Sequence, residues 1–126
     1  MTMLRGRTVL VVEDENDSME VVQGVLAYHG IQSVGAPTGE EALSLLENMR
    51  PALIVIDLAL PGLDGWELLK NVRANPKLAG VPCVAITAFH TPELAEEAIV
   101  AGFDAYFAKP FDATSFVREL EGIVAS

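Results

Sequence analysis

Five short apolar runs recur along the chain, separated by stretches whose apolar residues fall at helical spacing. The runs are Val9-Leu10-Val11-Val12, the weaker Gln32 to Ala36, Leu53-Ile54-Val55-Ile56, Val84-Ala85-Ile86 and Ala105-Tyr106-Phe107-Ala108. Continuous apolar runs this short, rich in β-branched residues, read as strands covered on both faces. Thr38 with Glu41 and Asp64 with Glu67 have capping-box spacing, and Thr91-Pro92 sets an N-cap before a proline at the first helical position. Asp112 is the expected N-cap of the last helix. Gly30 and Gly102 stand where helices would end, because glycine accepts positive φ cheaply. Val21, Val22, Val25 and Leu26 predict the apolar face of the first helix, and Phe116, Leu120 and Ile123 that of the last. Strands alternating with helices predict one α/β domain over residues 1–126. Its form would be (βα)5, a five-stranded parallel sheet with right-handed crossovers and helices on both faces.

In an open parallel sheet, sites form outside the carboxyl ends of the strands. The polar residues at those ends are Glu13 and Asp14 after the first strand, Asp57 at the third, Thr87 at the fourth and Lys109 at the fifth. Each has a plain alternative role. An acid after a strand is often a helix N-cap, and a single lysine is commonly a solvated charge. What sets these residues apart is that the strand runs before them are almost wholly apolar.

Composition narrows the class. Of 126 residues, 51% are apolar and 21% charged, enough to bury a core and too hydrophobic for a disordered chain. No run of apolar residues is long enough to span a membrane, and the first residues lack the pattern of a signal peptide. The single cysteine, Cys83, fits a reducing, cytoplasmic setting. Eighteen acids against 8 bases leave a formal net charge of −10, which argues against direct binding to nucleic acid. His29 and His90 lack metal-ligand spacing and are expected at the surface or in loops, and Trp66 is expected to pack near the start of the third helix.

Four stretches together resemble bacterial two-component response-regulator receivers: Val11-Val12-Glu13-Asp14-Glu15, Ile56-Asp57-Leu58-Ala59-Leu60-Pro61-Gly62-Leu63-Asp64-Gly65, Ile86-Thr87-Ala88, and Tyr106-Phe107-Ala108-Lys109-Pro110-Phe111. The resemblance runs from about Thr8 to Ile123. It implies the flavodoxin-like strand order 2-1-3-4-5, which brings Glu13, Asp14 and Asp57 together. Three converging carboxylates repel, so one must take a proton or a cation must bind, and a hard oxygen-rich site suits Mg²⁺. By resemblance, Asp14 and Asp57 ligate the metal directly, Glu13 acts mostly through water, and the main-chain carbonyl of Ala59 completes the set. Asp57 is then the phosphoacceptor, attacking a phosphohistidine or small phosphodonor, with Lys109 offsetting charge on the transferring oxygens. Lys109-Pro110 is expected to be cis, again by resemblance.

The same resemblance implies a signalling switch rather than an enzyme acting on other substrates. Thr87 would bond the phosphoryl group and Tyr106 would fill the space it leaves, so the face formed by the fourth helix, fifth strand and fifth helix would change its partner binding. Tyr106 has its own plain alternative, an aromatic packed at a sheet edge. Asp104, Tyr106 and Arg118 are candidate readout residues, and a sensor histidine kinase or histidine phosphotransfer protein is the expected donor. Ala59 and Phe89 are apolar where many receivers carry polar groups that orient attacking water, which predicts slow self-dephosphorylation. Met1, the short tail after Ile123 and Ile86-Thr87-Ala88-Phe89 resemble a stand-alone, cell-cycle type of receiver, against a fragment of a larger regulator or hybrid kinase. Two rivals share parts of the pattern. A haloacid-dehalogenase-type phosphatase needs an acid where Ala59 stands, and a flavodoxin needs a phosphate loop where Glu13-Asp14-Glu15-Asn16-Asp17 would repel one.

Overall fold

Side chains of the strands alternate between two separate cores, which is why the apolar runs are continuous. The computed structural model describes residues 4–125. Five parallel strands form one sheet in the order β2-β1-β3-β4-β5: β1 (Thr8–Val12), β2 (Gln32–Ala36), β3 (Leu53–Asp57), β4 (Cys83–Thr87) and β5 (Ala105–Ala108). The helices are α1 (Asn16–Tyr28), α2 (Gly39–Leu46), α3 (Gly65–Ala74), α4 (Pro92–Ala101) and α5 (Ala113–Ala125), with a 3₁₀ turn at Pro76–Leu78.

On one face of the sheet, Leu10, Ile54, Ile56, Cys83 and Ala85 pack with Leu46 of α2, Leu68 and Val72 of α3 and Ala98 of α4. On the other, Val9, Val11, Leu53, Val55, Val84 and Ile86 pack with Val22 and Leu26 of α1 and Phe116 and Leu120 of α5. Each fully buried aliphatic side chain contributes about 1.5–3 kcal/mol, so a strand buried on both faces is anchored throughout. The five residues of β3 are all buried.

The expected caps form. Thr38 Oγ1 accepts from the Glu41 N–H at 3.0 Å, Asp64 Oδ1 from Glu67 at 2.9 Å, Thr91 Oγ1 from Leu94 at 3.0 Å, and Asp112 Oδ2 from Ser115 at 2.8 Å. α4 ends at Gly102 with φ +117°, where the Gly102 and Phe103 N–H groups close onto the Ile99 and Ala98 carbonyls.

One expectation needs correction. Val21 does not join the apolar face of α1: it is 59% exposed, because Val22 and Leu26 take the core side and the next position round the helix opens to solvent. His29 lies in the turn after α1, as expected, partly exposed, with its Nδ1 2.9 Å from the Val25 carbonyl oxygen. Trp66 packs as expected, edge-on to Phe103 at 5.9 Å between ring centroids. No helix among the described residues is long and apolar enough to cross a membrane.

Candidate functional site

Parallel strands in register end together. Val12 pairs with Ile56, Asp57 with Ile86 and Thr87 with Ala108, so the residues at and just beyond these positions meet at one edge. Glu13 is 1% exposed, Asp57 is 5% exposed, and Asp14 lies open to solvent. One carboxylate oxygen from each of Glu13, Asp14 and Asp57 lies within 4.8 Å of the other two. Together with Glu15, Ala59, Ala88, Phe89 and Lys109 they line a cleft of about 270 Å³.

Asp57 is held from both sides. Its Oδ1 accepts the Ala59 N–H at 2.9 Å and its Oδ2 accepts from Lys109 Nζ at 3.1 Å. Lys109 Nζ also donates to Glu13 Oε1, and the Glu15 N–H donates to Glu13 Oε2 at 3.3 Å. The Lys109 main-chain N–H donates to the Thr87 carbonyl at 2.8 Å, and the Lys109-Pro110 peptide is cis.

One ammonium among three carboxylates leaves the cluster short of positive charge. Burial, and then the neighbouring Glu13, push the Asp57 carboxyl from 3.8 up to about 6. Burial also works against ionised Glu13, but its hydrogen bonds, with Asp57, Lys109 and others, outweigh that and hold it low. Lys109 is raised: burial disfavours its charge, yet the two carboxylates outweigh burial. The donor set fits a hard divalent cation, since carboxylate oxygens converge where negative charge is in excess.

Thr87 is 1% exposed, and its Oγ1 accepts the Phe89 N–H at 3.1 Å, so the hydroxyl oxygen is turned to its own loop. Tyr106 is half-buried against the core on the α4 side, with its hydroxyl 2.9 Å from His90 Nδ1. Asp104 is committed rather than free. Its Oδ2 accepts from Arg73 at 3.0 Å and from the Cys83 N–H at 2.9 Å. Arg118 is exposed on α5.

Three further residues, Gly65, Glu40 and His90, make contacts that the sequence pattern gives no reason to expect. A Cβ on Gly65 would stand 2.5 Å from the Asp57 carbonyl oxygen and 2.8 Å from Leu58 Cα, so α3 starts hard against the end of β3 only because no side chain intervenes. Glu40 Oε2 accepts the Leu63 N–H at 3.2 Å, tying the loop after Asp57 to α2. His90 meets Tyr106. Asp64-Gly65 belongs to the stretch that follows Asp57, but the other two contacts join residues far apart in the chain and have no local signal.

A doubly wound sheet with an acid cluster and an opposed lysine at its carboxyl edge defines a class, and the comparisons assign it. The chain belongs to the response regulator receiver domain family, which it matches over residues 9–121. The polar-differentiation response regulator DivK of Brucella anthropi is 30% identical over 115 residues, 91% of this chain and 94% of DivK. A crystal structure described as a response regulator from Chloroflexus aurantiacus superposes with a TM-score of 0.90 at 32% identity, covering 95% of this chain and 98% of that one. The receiver domain of a sensor histidine kinase from Pseudomonas aeruginosa, with a magnesium ion in its active-site cleft, gives 0.87 at 30% identity, with 95% and 98% coverage.

Proposed function

We propose that this chain is a phosphorylation-dependent switch of a two-component relay, with Asp57 as the phosphoacceptor. The observation that carries the reading is Asp57 itself. It is a buried carboxylate facing a small cleft, its two oxygens bonded by the Ala59 N–H and Lys109 Nζ. A carboxylate so held is oriented for attack. An Asp57 oxygen forms a bond to phosphorus while the phosphorus–nitrogen bond of a phosphohistidine breaks, and the departing imidazole keeps the electron pair. Lys109 offsets the charge that gathers on the transferring oxygens. Asp14, Asp57, the Ala59 carbonyl and Glu13 through water would hold Mg²⁺, which supplies further neutralisation of those oxygens when bound.

The donor is a sensor histidine kinase or histidine phosphotransfer protein. Beside the site, an apolar groove of about 400 Å³ lies between α1 and the Lys109–Phe111 segment, lined by Val21, Val22, Pro110 and Phe111 among others. Its continuity with Lys109 makes it the place for the donor to dock, and it accounts for the exposed Val21. Phosphorylation adds acceptor oxygens to which the Thr87 hydroxyl can donate, drawing it inward from the position in which its oxygen accepts the Phe89 N–H. Tyr106 follows, because Thr87 and Tyr106 share one face of neighbouring strands with Ala108 and Ala85 as their small cross-strand partners. The altered face of α4, β5 and α5, which exposes Ile99, Val100 and Arg118, then binds the downstream protein.

The test is intact mass after acetyl phosphate and Mg²⁺. The wild type should gain about 80 Da, one phosphoryl group, and Asp57→Asn nothing. A wild type unmodified by acetyl phosphate and by a competent phosphohistidine donor would sink the reading.

A further inference from the structure

The loop between β4 and α4 is held at two points in the unphosphorylated chain. At its start, the Phe89 N–H donates to Thr87 Oγ1 at 3.1 Å. Towards its end, His90 Nδ1 meets the Tyr106 hydroxyl at 2.9 Å, with the two rings 5.5 Å apart and tilted by 48°. The first bond uses Thr87 Oγ1 only as an acceptor, so its hydroxyl proton stays available to a phosphoryl oxygen. The second bears on the residue that must move next. Between them Phe89 is 71% exposed, and the Thr91 main chain also bonds the Tyr106 hydroxyl, so loop and strand are tied at neighbouring points.

We propose that His90 is a positioning residue, a latch that keeps Tyr106 in its half-exposed rotamer and so raises the threshold for switching. The inference rests on the reading of Thr87 and Tyr106 as the moving pair. Tyr106 is edge-strand and incompletely packed, so its ring has room to take another rotamer. A bond from its hydroxyl to a residue on the adjoining loop selects one rotamer and ties loop to strand. A ligand that favours the other arrangement must overcome that bond, and removing the bond shifts the equilibrium by the same factor. A single exposed hydrogen bond sets that factor at about two- to tenfold.

The chain has two tyrosines, Tyr28 and Tyr106. Tyr28 is 87% exposed on α1 and serves as an internal control. Protein labelled with 3-fluorotyrosine should give two fluorine resonances, followed by NMR with and without Mg²⁺ and beryllium trifluoride, a mimic of the phosphoryl group. His90→Phe keeps an aromatic ring and deletes the nitrogens. His90→Gln keeps a polar group that can donate or accept. In His90→Phe, the unliganded Tyr106 resonance should lie part-way towards its beryllofluoride position while Tyr28 stays put. Its affinity for the mimic should tighten by about two- to tenfold, and His90→Gln should fall nearer the wild type. A wild type that binds the mimic, with His90→Phe unchanged in both affinity and the Tyr106 resonance, overturns the latch alone. His90→Gln displaced while His90→Phe stays at the wild-type position also overturns it, because packing of the ring rather than the hydrogen bond is then at work. A wild type that takes up no beryllofluoride overturns the phosphoacceptor reading and the latch with it.

Discussion

Asp57 sits under strain of a purely electrostatic kind. In the metal-free chain its carboxyl is raised from 3.8 to about 6, first by burial and then by Glu13. A group raised in the folded state stabilises fully below its unfolded value, and that contribution is lost as pH rises through the folded value. Metal-free protein should therefore lose part of its stability between about pH 4 and pH 6 through Asp57, at most about 3 kcal/mol from a shift of about two units. Asp57→Asn, which cannot ionise, should escape that loss. Urea unfolding in EDTA at pH 4.5 and pH 7 checks it: the mutant should gain on the wild type by about 1–3 kcal/mol at the higher pH. Equal gaps at the two pH values would contradict the electrostatic account. Glu13, which is lowered, acts in the opposite sense, its contribution fading as pH falls, which is why the difference between mutant and wild type is the useful quantity. Cys83 gives a second residue-scale prediction. Burial pushes its thiol up to about 12, and it lies wholly within the sheet. It should react with a disulfide reagent at pH 8 only as fast as the chain unfolds, and at once in denaturant.

At the scale of elements, the junction of β3 and α3 is the tightest in the site. Gly65→Ala would drive a Cβ against two backbone atoms, so α3 must shift away from Asp57. The expected cost is about 1–3 kcal/mol in unfolding, together with slower modification by acetyl phosphate. A variant of native stability and native phosphorylation rate would refute the packing argument. The strands were legible because burial on both faces leaves continuous apolar runs, and the helix starts because Thr38, Asp64, Thr91 and Asp112 announce themselves by capping chemistry. Strand ends then located Glu13, Asp14, Asp57 and Lys109. Strand order came from the family resemblance, not from periodicity. Val21 was misread because helical spacing alone does not say how wide the buried stripe is. The pairing of His90 with Tyr106 was out of reach because it depends on where a loop falls relative to β5, which no local pattern encodes.

For the whole molecule, an acidic chain that gathers three of its carboxylates in one site should gain stability from a divalent cation. At neutral pH, Mg²⁺ at ten times its dissociation constant should add about 1.4 kcal/mol, seen as a higher melting temperature. Asp14→Asn should remove most of that gain while leaving the metal-free protein folded. Phosphorylated protein should keep its phosphoryl group for minutes or longer, because Ala59 and Phe89 offer attacking water no polar partner; decay within seconds by intact mass would count against this. One property follows from where β3 lies. It is the middle strand of five, buried along its whole length, and Asp57 is its last residue. Its amides should be the last to exchange with deuterium, opening only when the entire chain opens, whereas β2 and β5 at the sheet margins exchange through smaller excursions. If Asp57 is the phosphoacceptor, the mark would be written on the most protected strand and read at a sheet margin, so the signal would travel down a gradient of rigidity.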